Sequence, residues 1–229
     1  MAQPLIRRFL VELIEQIDLP DPVYEFGSLQ VKDDQDADLR PLFAGRGFVG
    51  TDMREGPGVD RVEDLRALTL SDGEVGTALC LDTLEHCEDP PQACRELTRV
   101  TADGGVCVVS SVMLFGIHAY PNDYFRFTPE GFRSLLSGFD DVWVCAIGHA
   151  AIPTQVIGVG AKGRELGLRF EDFASLVGAQ DSFDHPRGRV RVGVHNHRPL
   201  ALVKTLWHNA PRLTRVWLER GGRGPSGSL

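Results

Sequence analysis

The sequence predicts an α/β domain built on a mostly parallel sheet of about seven strands, the last one antiparallel, with helices on both faces. From Val23 onward short apolar runs alternate with helical stretches, as in strands joined by crossover helices. Several of these runs end in a small or acidic residue. The chain has 229 residues, of which 42% are hydrophobic, so it can bury one large core.

Three regions are expected along the chain: an N-terminal helix packed on the core, a main domain and a C-terminal helical extension, at residues 1–20, 21–163 and 164–229. The first is an amphipathic segment in which Leu5, Phe9, Ile14 and Ile17 are available for packing. The extension contains a short helix near Phe170–Leu176 and, further on, a longer apolar one.

Six strands are readable in the main domain, in chain order 23–26, 47–51, 75–81, 106–110, 141–147 and 155–161. Residues 90–100 begin with two prolines, which suit a first helical turn, and form a crossover helix. Asp103-Gly104-Gly105 forms a tight turn before the fourth of these strands. The last two strands are candidates for a closing antiparallel pair.

The longer helix of the extension covers Leu200–Leu218 and is broken at Pro211. Its many apolar residues favour packing on the domain or a homodimer through this helix. The final residues, GGRGPSGSL, are typical of a disordered tail.

Charge and cysteine content restrict the partners and the compartment. The net charge of −8 repels polyanions, so no nucleic acid partner is expected. The five cysteines are an odd number in largely apolar surroundings, which indicates free thiols and a cytoplasmic protein. Cys80, Cys87 and Cys94 are evenly spaced but form no Cys-x-x-Cys pair, so no metal site is expected. No apolar run reaches the length of about 20 residues that a membrane span needs.

Six segments, VYEFGS, FVGTD, VEDL, LCLDTLEH, RVTADGGVCVVS and DYFRFTPEGF, occur in this order between residues 23 and 160. Together they resemble the Rossmann-like class I methyltransferases that use S-adenosylmethionine, particularly the small-molecule and glycan-associated branch. The sequence departs from this family's first motif, since only Gly27 of its glycines is kept. S-adenosylmethionine has no phosphate to cradle, so its binding tolerates this change better than dinucleotide binding would.

The cofactor pocket is expected at the carboxyl ends of the strands, where open α/β sheets bind ligands. Its expected residues are Glu25, Gly27, Ser28, Asp52, Met53, Asp64, Leu65, Asp82 and Thr83. The carboxylate of Asp52 has the position to accept from both hydroxyls of a ribose. The resemblance implies that Asp64 accepts from the adenine amino group. Asp52, Asp64 and Asp82 each have a structural alternative as a helix cap.

The polar and aromatic insert from His118 to Phe132 is expected to meet the methyl acceptor. The candidate catalytic residues are His118 as general base, Asp82 and His86. The candidate substrate-binding residues are Tyr120, Asp123, Tyr124, Arg126 and His149. In the alternative interpretation the insert is a scaffold, in which aromatic side chains anchor the loop and Asp123 pairs with Arg126.

These features together predict a methyltransferase that uses S-adenosylmethionine and methylates a hydroxyl of a small-molecule or sugar-containing acceptor. Methyl transfer from a sulfonium needs mainly alignment and, for a hydroxyl acceptor, loss of a proton. Two alternatives remain open from the sequence. One is N- or C-methylation of a small molecule, and the other is a non-catalytic subunit that binds the cofactor and docks a partner.

Overall fold

A computed structural model describes residues 4–30, 38–118, 122–184, 190–192 and 195–197. The chain divides into two compact units, residues 1–180 and 181–229. In the second unit the described residues include an antiparallel pair of short strands, β8 (Val190–Val192) and β9 (His195–His197). The predicted helix Leu200–Leu218, its dimer contact and the predicted disordered tail lie outside the described residues.

The first unit is built on a seven-stranded sheet in the order β3-β2-β1-β4-β5-β7-β6. Its strands are β1 (Val23–Phe26), β2 (Phe48–Asp52), β3 (Arg61–Val62), β4 (Val75–Leu81), β5 (Thr101–Val112), β6 (Asp141–His149) and β7 (Ile152–Ala161).

Six of the seven strands run in the same direction. The pairs β1–β2, β2–β3, β1–β4 and β4–β5 are parallel, whereas β7 is antiparallel to both β5 and β6. The predicted mostly parallel sheet with an antiparallel last strand is therefore confirmed. The order reverses between β1 and β4, because the chain continues from β1 to one side of the sheet and returns to the other.

Helices cover both faces of this sheet, as predicted. The described residues contain four α-helices: α1 (Pro4–Gln16), α2 (Pro90–Val100), α3 (Pro129–Leu135) and α4 (Ala174–Asp184). Short 3₁₀ helices occupy Arg40–Phe43, Leu84–His86 and Phe170–Asp172. One buried cluster joins the sheet to α2 and α3, and a second joins its other face to α1 and the start of α4.

Helix α1 contributes four fully buried side chains to the second cluster: Ile6, Phe9, Leu10 and Leu13. The ring of Phe9 stacks on Trp143 with centroids 6.0 Å apart and meets Phe173 at 4.8 Å. Of the residues expected to pack, Phe9 is fully buried, and Leu5, Ile14 and Ile17 lie partly buried at the edge of the cluster. The helix is thus part of the core.

Two local expectations differ from the structure. The segment predicted as a turn, Asp103-Gly104-Gly105, lies within β5, where the register skips from Val75 opposite Thr101 to Thr77 opposite Val106. The positive φ of +76° at Gly104 lets the backbone make this irregularity. The helix predicted near Phe170–Leu176 is divided into a 3₁₀ turn and α4. Within the described residues, no helix is long and apolar enough to cross a membrane.

Candidate active site

A cavity of about 600 Å³ opens at the carboxyl ends of β1, β2 and β4, beside the reversal in strand order. Its wall includes Gly27, Asp52, Asp64 and Asp82, each of which follows or ends a strand, together with two histidines, His86 and His118. The predicted cofactor side and the predicted acceptor side therefore share one cavity.

Gly27 ends β1 with a backbone that only glycine adopts easily here. Its φ is +91°, and a Cβ added to it would lie 2.2 Å from Oγ1 of Thr83. The Thr83 hydroxyl is held in place because it donates to the carbonyls of Leu81 at 2.9 Å and Phe26 at 3.2 Å. The absence of a side chain at Gly27 thus lets Thr83, after β4, pack closely against the end of β1.

Asp52 lies at the end of β2 with its side chain 12% exposed. Its Oδ1 accepts a hydrogen bond of 3.0 Å from the backbone N–H of Arg54, which fixes the carboxylate. Arg54 Nε is buried, and no hydrogen-bond acceptor in the described part of the chain reaches it. Arg54 Nε lies 3.7 Å from Asp52 Oδ1. The cavity wall therefore contains a carboxylate acceptor and an unsatisfied donor next to each other.

Asp64 follows the edge strand β3, and Leu65 beside it also lines the cavity. Both oxygens of Asp64 already accept from the guanidinium of Arg66, at distances between 2.8 and 3.2 Å. This pairing lowers the pKa of Asp64. Arg66 also donates to Glu88 at 2.7 Å, so it links the two carboxylates at the cavity rim.

Asp82 follows β4 directly and has a φ of +47°, a left-handed conformation that is uncommon for residues other than glycine. Its carboxylate is mostly buried and Oδ1 accepts from Ser110 Oγ at 2.9 Å and from Gln155 Nε2 at 2.7 Å. These bonds from β5 and β7 fix the acid in the cavity wall.

Four further predicted cofactor residues divide into two groups. Met53 and Thr83 line the cavity. Glu25 and Ser28 are buried and are not among its lining residues: Ser28 Oγ donates to the carbonyl of Gly58 at 3.0 Å. Burial raises the pKa of Glu25 to about 7.

The acid–imidazole pair Glu85-His86 occupies a 3₁₀ helix just after β4. Glu85 is buried and accepts from Ser111 Oγ at 2.6 Å, and burial together with the charge of Asp82 raises its pKa to about 7. His86 Nδ1 lies 2.5 Å from the backbone carbonyl of Asn122. Glu85 was not among the expected site residues, although it lines the cavity next to His86.

His118 lies at the start of the insert, with its ring edge against that of His86, centroids 4.8 Å apart and planes at 83°. Asp123 holds it from behind: Oδ2 accepts from the His118 backbone N–H at 2.9 Å and lies 3.2 Å from its Nδ1. Asp123 also binds the guanidinium of Arg126 with both oxygens, which holds the pKa of Asp123 well below its usual range. The predicted pair of Asp123 and Arg126 is therefore present, and it supports His118 from outside the cavity wall.

The remaining acceptor-side predictions fall in different places. Tyr124 lines the cavity, and its hydroxyl donates to Glu88 at 2.9 Å. Asn122, which was not expected, lines the wall as well. Tyr120 lies outside the described residues. His149 ends β6 in the hairpin, where its Nδ1 accepts from the N–H of Ala151, and it is not among the residues that line the cavity.

Comparison with known proteins agrees with this geometry. Residues 49–109, which run from β2 into β5, match the family model described as a methyltransferase domain. This match and the fold around it identify a methyltransferase domain of the class that uses S-adenosylmethionine. No curated protein matches the chain by sequence.

Solved structures with the same fold are distant in sequence. The methyltransferase is similar to a SAM-dependent methyltransferase from Archaeoglobus fulgidus, at 14% identity and a TM-score of 0.54, over 69% of this chain and 93% of that one. It is also similar to the 1,6-didemethyltoxoflavin-N1-methyltransferase of Burkholderia thailandensis, solved with bound S-adenosylhomocysteine. That pair shares 15% identity at a TM-score of 0.50, over 70% of this chain and 80% of the other.

The cavity of the methyltransferase fits its cofactor in size and chemistry. Its volume lies within the range of about 300–1,000 Å³ typical of small-molecule sites. The unsatisfied Nε of Arg54 beside the Asp52 carboxylate matches a sugar hydroxyl, because a hydroxyl both accepts and donates hydrogen bonds. Gly27 lines the cavity at the β1 turn without a side chain, so its backbone is accessible to a ligand there.

Proposed function

We propose that this methyltransferase transfers the methyl group to a hydroxyl of a small-molecule or sugar-containing acceptor. The observation that carries the proposal is the pair of imidazoles, His86 and His118, at one end of the cavity that also contains the cofactor-side acids. Each ring has its Nδ1 beside a backbone or carboxylate oxygen, so each keeps Nε2 for a bond to the acceptor.

Within this proposal the cofactor side is formed by residues from three strand ends. Asp52 and Arg54 hold the ribose hydroxyls, Asp64 and Leu65 contact the adenine, and Gly27, Thr83 and Asp82 surround the methionine part. S-adenosylmethionine supplies an activated methyl group, so the chain needs to orient the acceptor and assist the loss of its proton.

Two features support a small acceptor. The cavity lies within one unit of the chain, between strand ends and the His118 loop, and has the volume of a small-molecule site. The net charge of −8 opposes binding of a nucleic acid. A cytoplasmic location is proposed on the same sequence grounds, since all five cysteines are free.

Methylation of nitrogen is the second candidate, because the Burkholderia thailandensis relative is named an N1-methyltransferase. A shared fold does not determine which atom is methylated. The hydroxyl is favoured because a hydroxyl of high pKa must lose its proton during methyl transfer, and two imidazoles in the cavity wall can accept it. A neutral amine has less need of such a base.

The test uses S-adenosylmethionine with a ¹³C-labelled methyl group and a panel of phenols, sugar alcohols and matched amines. Two-dimensional NMR of the product locates the label on oxygen or on nitrogen. We expect an O-methyl product and a His118→Gln variant whose kcat falls while its Kd for S-adenosylhomocysteine is unchanged. Label found only on amines contradicts the proposal.

A further inference from the structure

Three side chains at the acceptor end converge on one point. They are the carboxylate of Glu85 and the imidazoles of His86 and His118, and the ligand atoms they offer all lie within 4.8 Å of one another. Glu85 and His86 come from the 3₁₀ helix after β4, while His118 comes from the loop after β5. Two imidazole nitrogens and one carboxylate oxygen are a known ligand set for catalytic divalent metal ions.

The surroundings of both imidazoles determine which nitrogen is available. His86 Nδ1 lies 2.5 Å from the Asn122 carbonyl, and His118 Nδ1 lies 3.2 Å from both the Gly116 carbonyl and Asp123 Oδ2. These oxygens only accept hydrogen bonds, so each Nδ1 carries a proton and each Nε2 keeps its lone pair. Metal-bound histidines show this pattern, in which the other ring nitrogen donates to a carbonyl or a carboxylate.

The carboxylate is oriented in a similar way. Ser111 Oγ donates to Glu85 Oε2 at 2.6 Å, and Glu85 is only 1% exposed. In the described part of the chain no arginine or lysine forms a salt bridge with Glu85, and Arg126 on the neighbouring loop is bonded to Asp123. A buried carboxylate is normally paired with a cation or coordinates a metal ion.

We propose that Glu85, His86 and His118 form a binding site for one divalent metal ion of the Zn²⁺ type, which holds the acceptor oxygen during methyl transfer. An ion at the centre of a triangle with sides of at most 4.8 Å would lie at most about 2.8 Å from each corner, so each ligand needs to move by about 0.7 Å or less to reach a bond of about 2.1 Å.

The chemistry rests on the proposed function, in that the acceptor is a hydroxyl. The ion lowers the pKa of the hydroxyl bound to it, and the released proton passes to water. The acceptor oxygen then forms its bond to the methyl carbon as the carbon–sulfur bond breaks, which leaves a neutral thioether. In this site His118 is a ligand, so its Nε2 lone pair is used by the ion and not for the proton abstraction that the sequence predicted for His118.

The test measures metal binding directly. Protein freed of metal by a chelator is titrated with Zn²⁺ in a calorimeter and with Co²⁺ while the visible absorption of the cobalt is followed. We expect one ion per chain and a visible spectrum typical of Co²⁺ with a low coordination number. Asp123→Asn, which removes the charge behind His118 and also weakens the pair with Arg126, should weaken Zn²⁺ binding about 10–100-fold.

His118→Gln should weaken binding more than Asp123→Asn does, and His149→Gln, which removes an imidazole outside the cavity wall, should leave it unchanged. Glu85 is buried, so Glu85→Gln is interpreted only when its melting temperature stays near that of the wild type. The site is overturned if the wild type does not bind Zn²⁺, or if His118→Gln binds Zn²⁺ as tightly as the wild type does.

The failure of this site and the failure of the proposed function give different results. Methylation of a hydroxyl by chelated protein that contains no ion overturns the role of the ion in methyl transfer and leaves the proposed function standing. If the wild type binds one ion that His118→Gln does not bind, the site is confirmed. If the label is then transferred only to amines, hydroxyl methylation is overturned.

Discussion

Replacement of Gly27 by alanine should damage the cofactor site more than the same replacement at Gly45. Both glycines have a positive φ, +91° at Gly27 and +84° at Gly45. Forcing alanine into such a conformation costs about 1–2 kcal/mol at either position. The surroundings differ, because a Cβ at Gly45 meets nothing within 4 Å, whereas one at Gly27 lies 2.2 Å from Thr83 Oγ1 and 2.7 Å from its Cγ2.

The overlap with Thr83 adds the cost of overpacking, about 1–3 kcal/mol. Gly27→Ala is therefore expected to lower the free energy of unfolding by about 2–5 kcal/mol in total, and Gly45→Ala by about 1–2 kcal/mol. The second substitution Thr83→Ala removes both overlapping atoms and leaves only Cβ, at 3.0 Å. The double variant should then lose less than the sum of the two single losses.

Urea unfolding measures these free energies, and calorimetric titration with S-adenosylhomocysteine measures the effect on the site. Affinity for S-adenosylhomocysteine should fall in Gly27→Ala and stay unchanged in Gly45→Ala, which lies outside the cavity wall. The steric reasoning is refuted by equal losses of stability in the two single variants, or by a double variant whose losses are strictly additive.

Three further outcomes are expected. Asp52→Ala should weaken S-adenosylhomocysteine binding about 100-fold, because it removes a charged acceptor worth about 3 kcal/mol; calorimetry showing less than a threefold change excludes the ribose contact. Glu25 has its folded-state pKa raised to about 7 by burial, so stability should fall as pH rises from about 4.5 to 7 and then level off. Urea unfolding of Glu25→Gln should lack that fall, and an identical pH profile would argue against the buried acid. Phe9→Ala should cost about 3–5 kcal/mol, and the exposed control Val11→Ala under about 1 kcal/mol; similar losses would show that α1 is not part of the core.

The cofactor side was predictable because its signals are local. A short apolar run followed by an acid places that acid at the end of a strand, and parallel strands have their carboxyl ends at one edge. Asp52 and Asp82 meet both conditions, and both line the cavity. The same pattern predicts nothing about Arg54, whose unsatisfied Nε becomes visible only when the neighbouring side chains are placed.

Glu25 shows where proximity in sequence misleads. It directly precedes Phe26, which lines the cavity, but successive side chains alternate between the faces of a strand. Tyr24 and Phe26 belong to the cluster on the α2 side, and Val23 belongs to the cluster on the α1 side. The side chain of Glu25 is on the same face of the strand as Val23, and the charges of Arg40 and Asp38 influence its carboxylate. Strand alternation alone therefore separates Glu25 from the Phe26 side.

The acceptor end depends on a contact between distant segments that no local pattern encodes. The carbonyl of Glu85 accepts from the backbone N–H of Tyr124 at 2.8 Å and of Phe125 at 3.3 Å, which fastens the insert over the 3₁₀ helix after β4. Because these bonds involve the backbone, many side chains at positions 124 and 125 would preserve them. The insert is therefore both the scaffold and part of the site. The bonds that anchor it to Glu85 also bring His118 against His86. A change that weakens these bonds should separate the three proposed metal ligands.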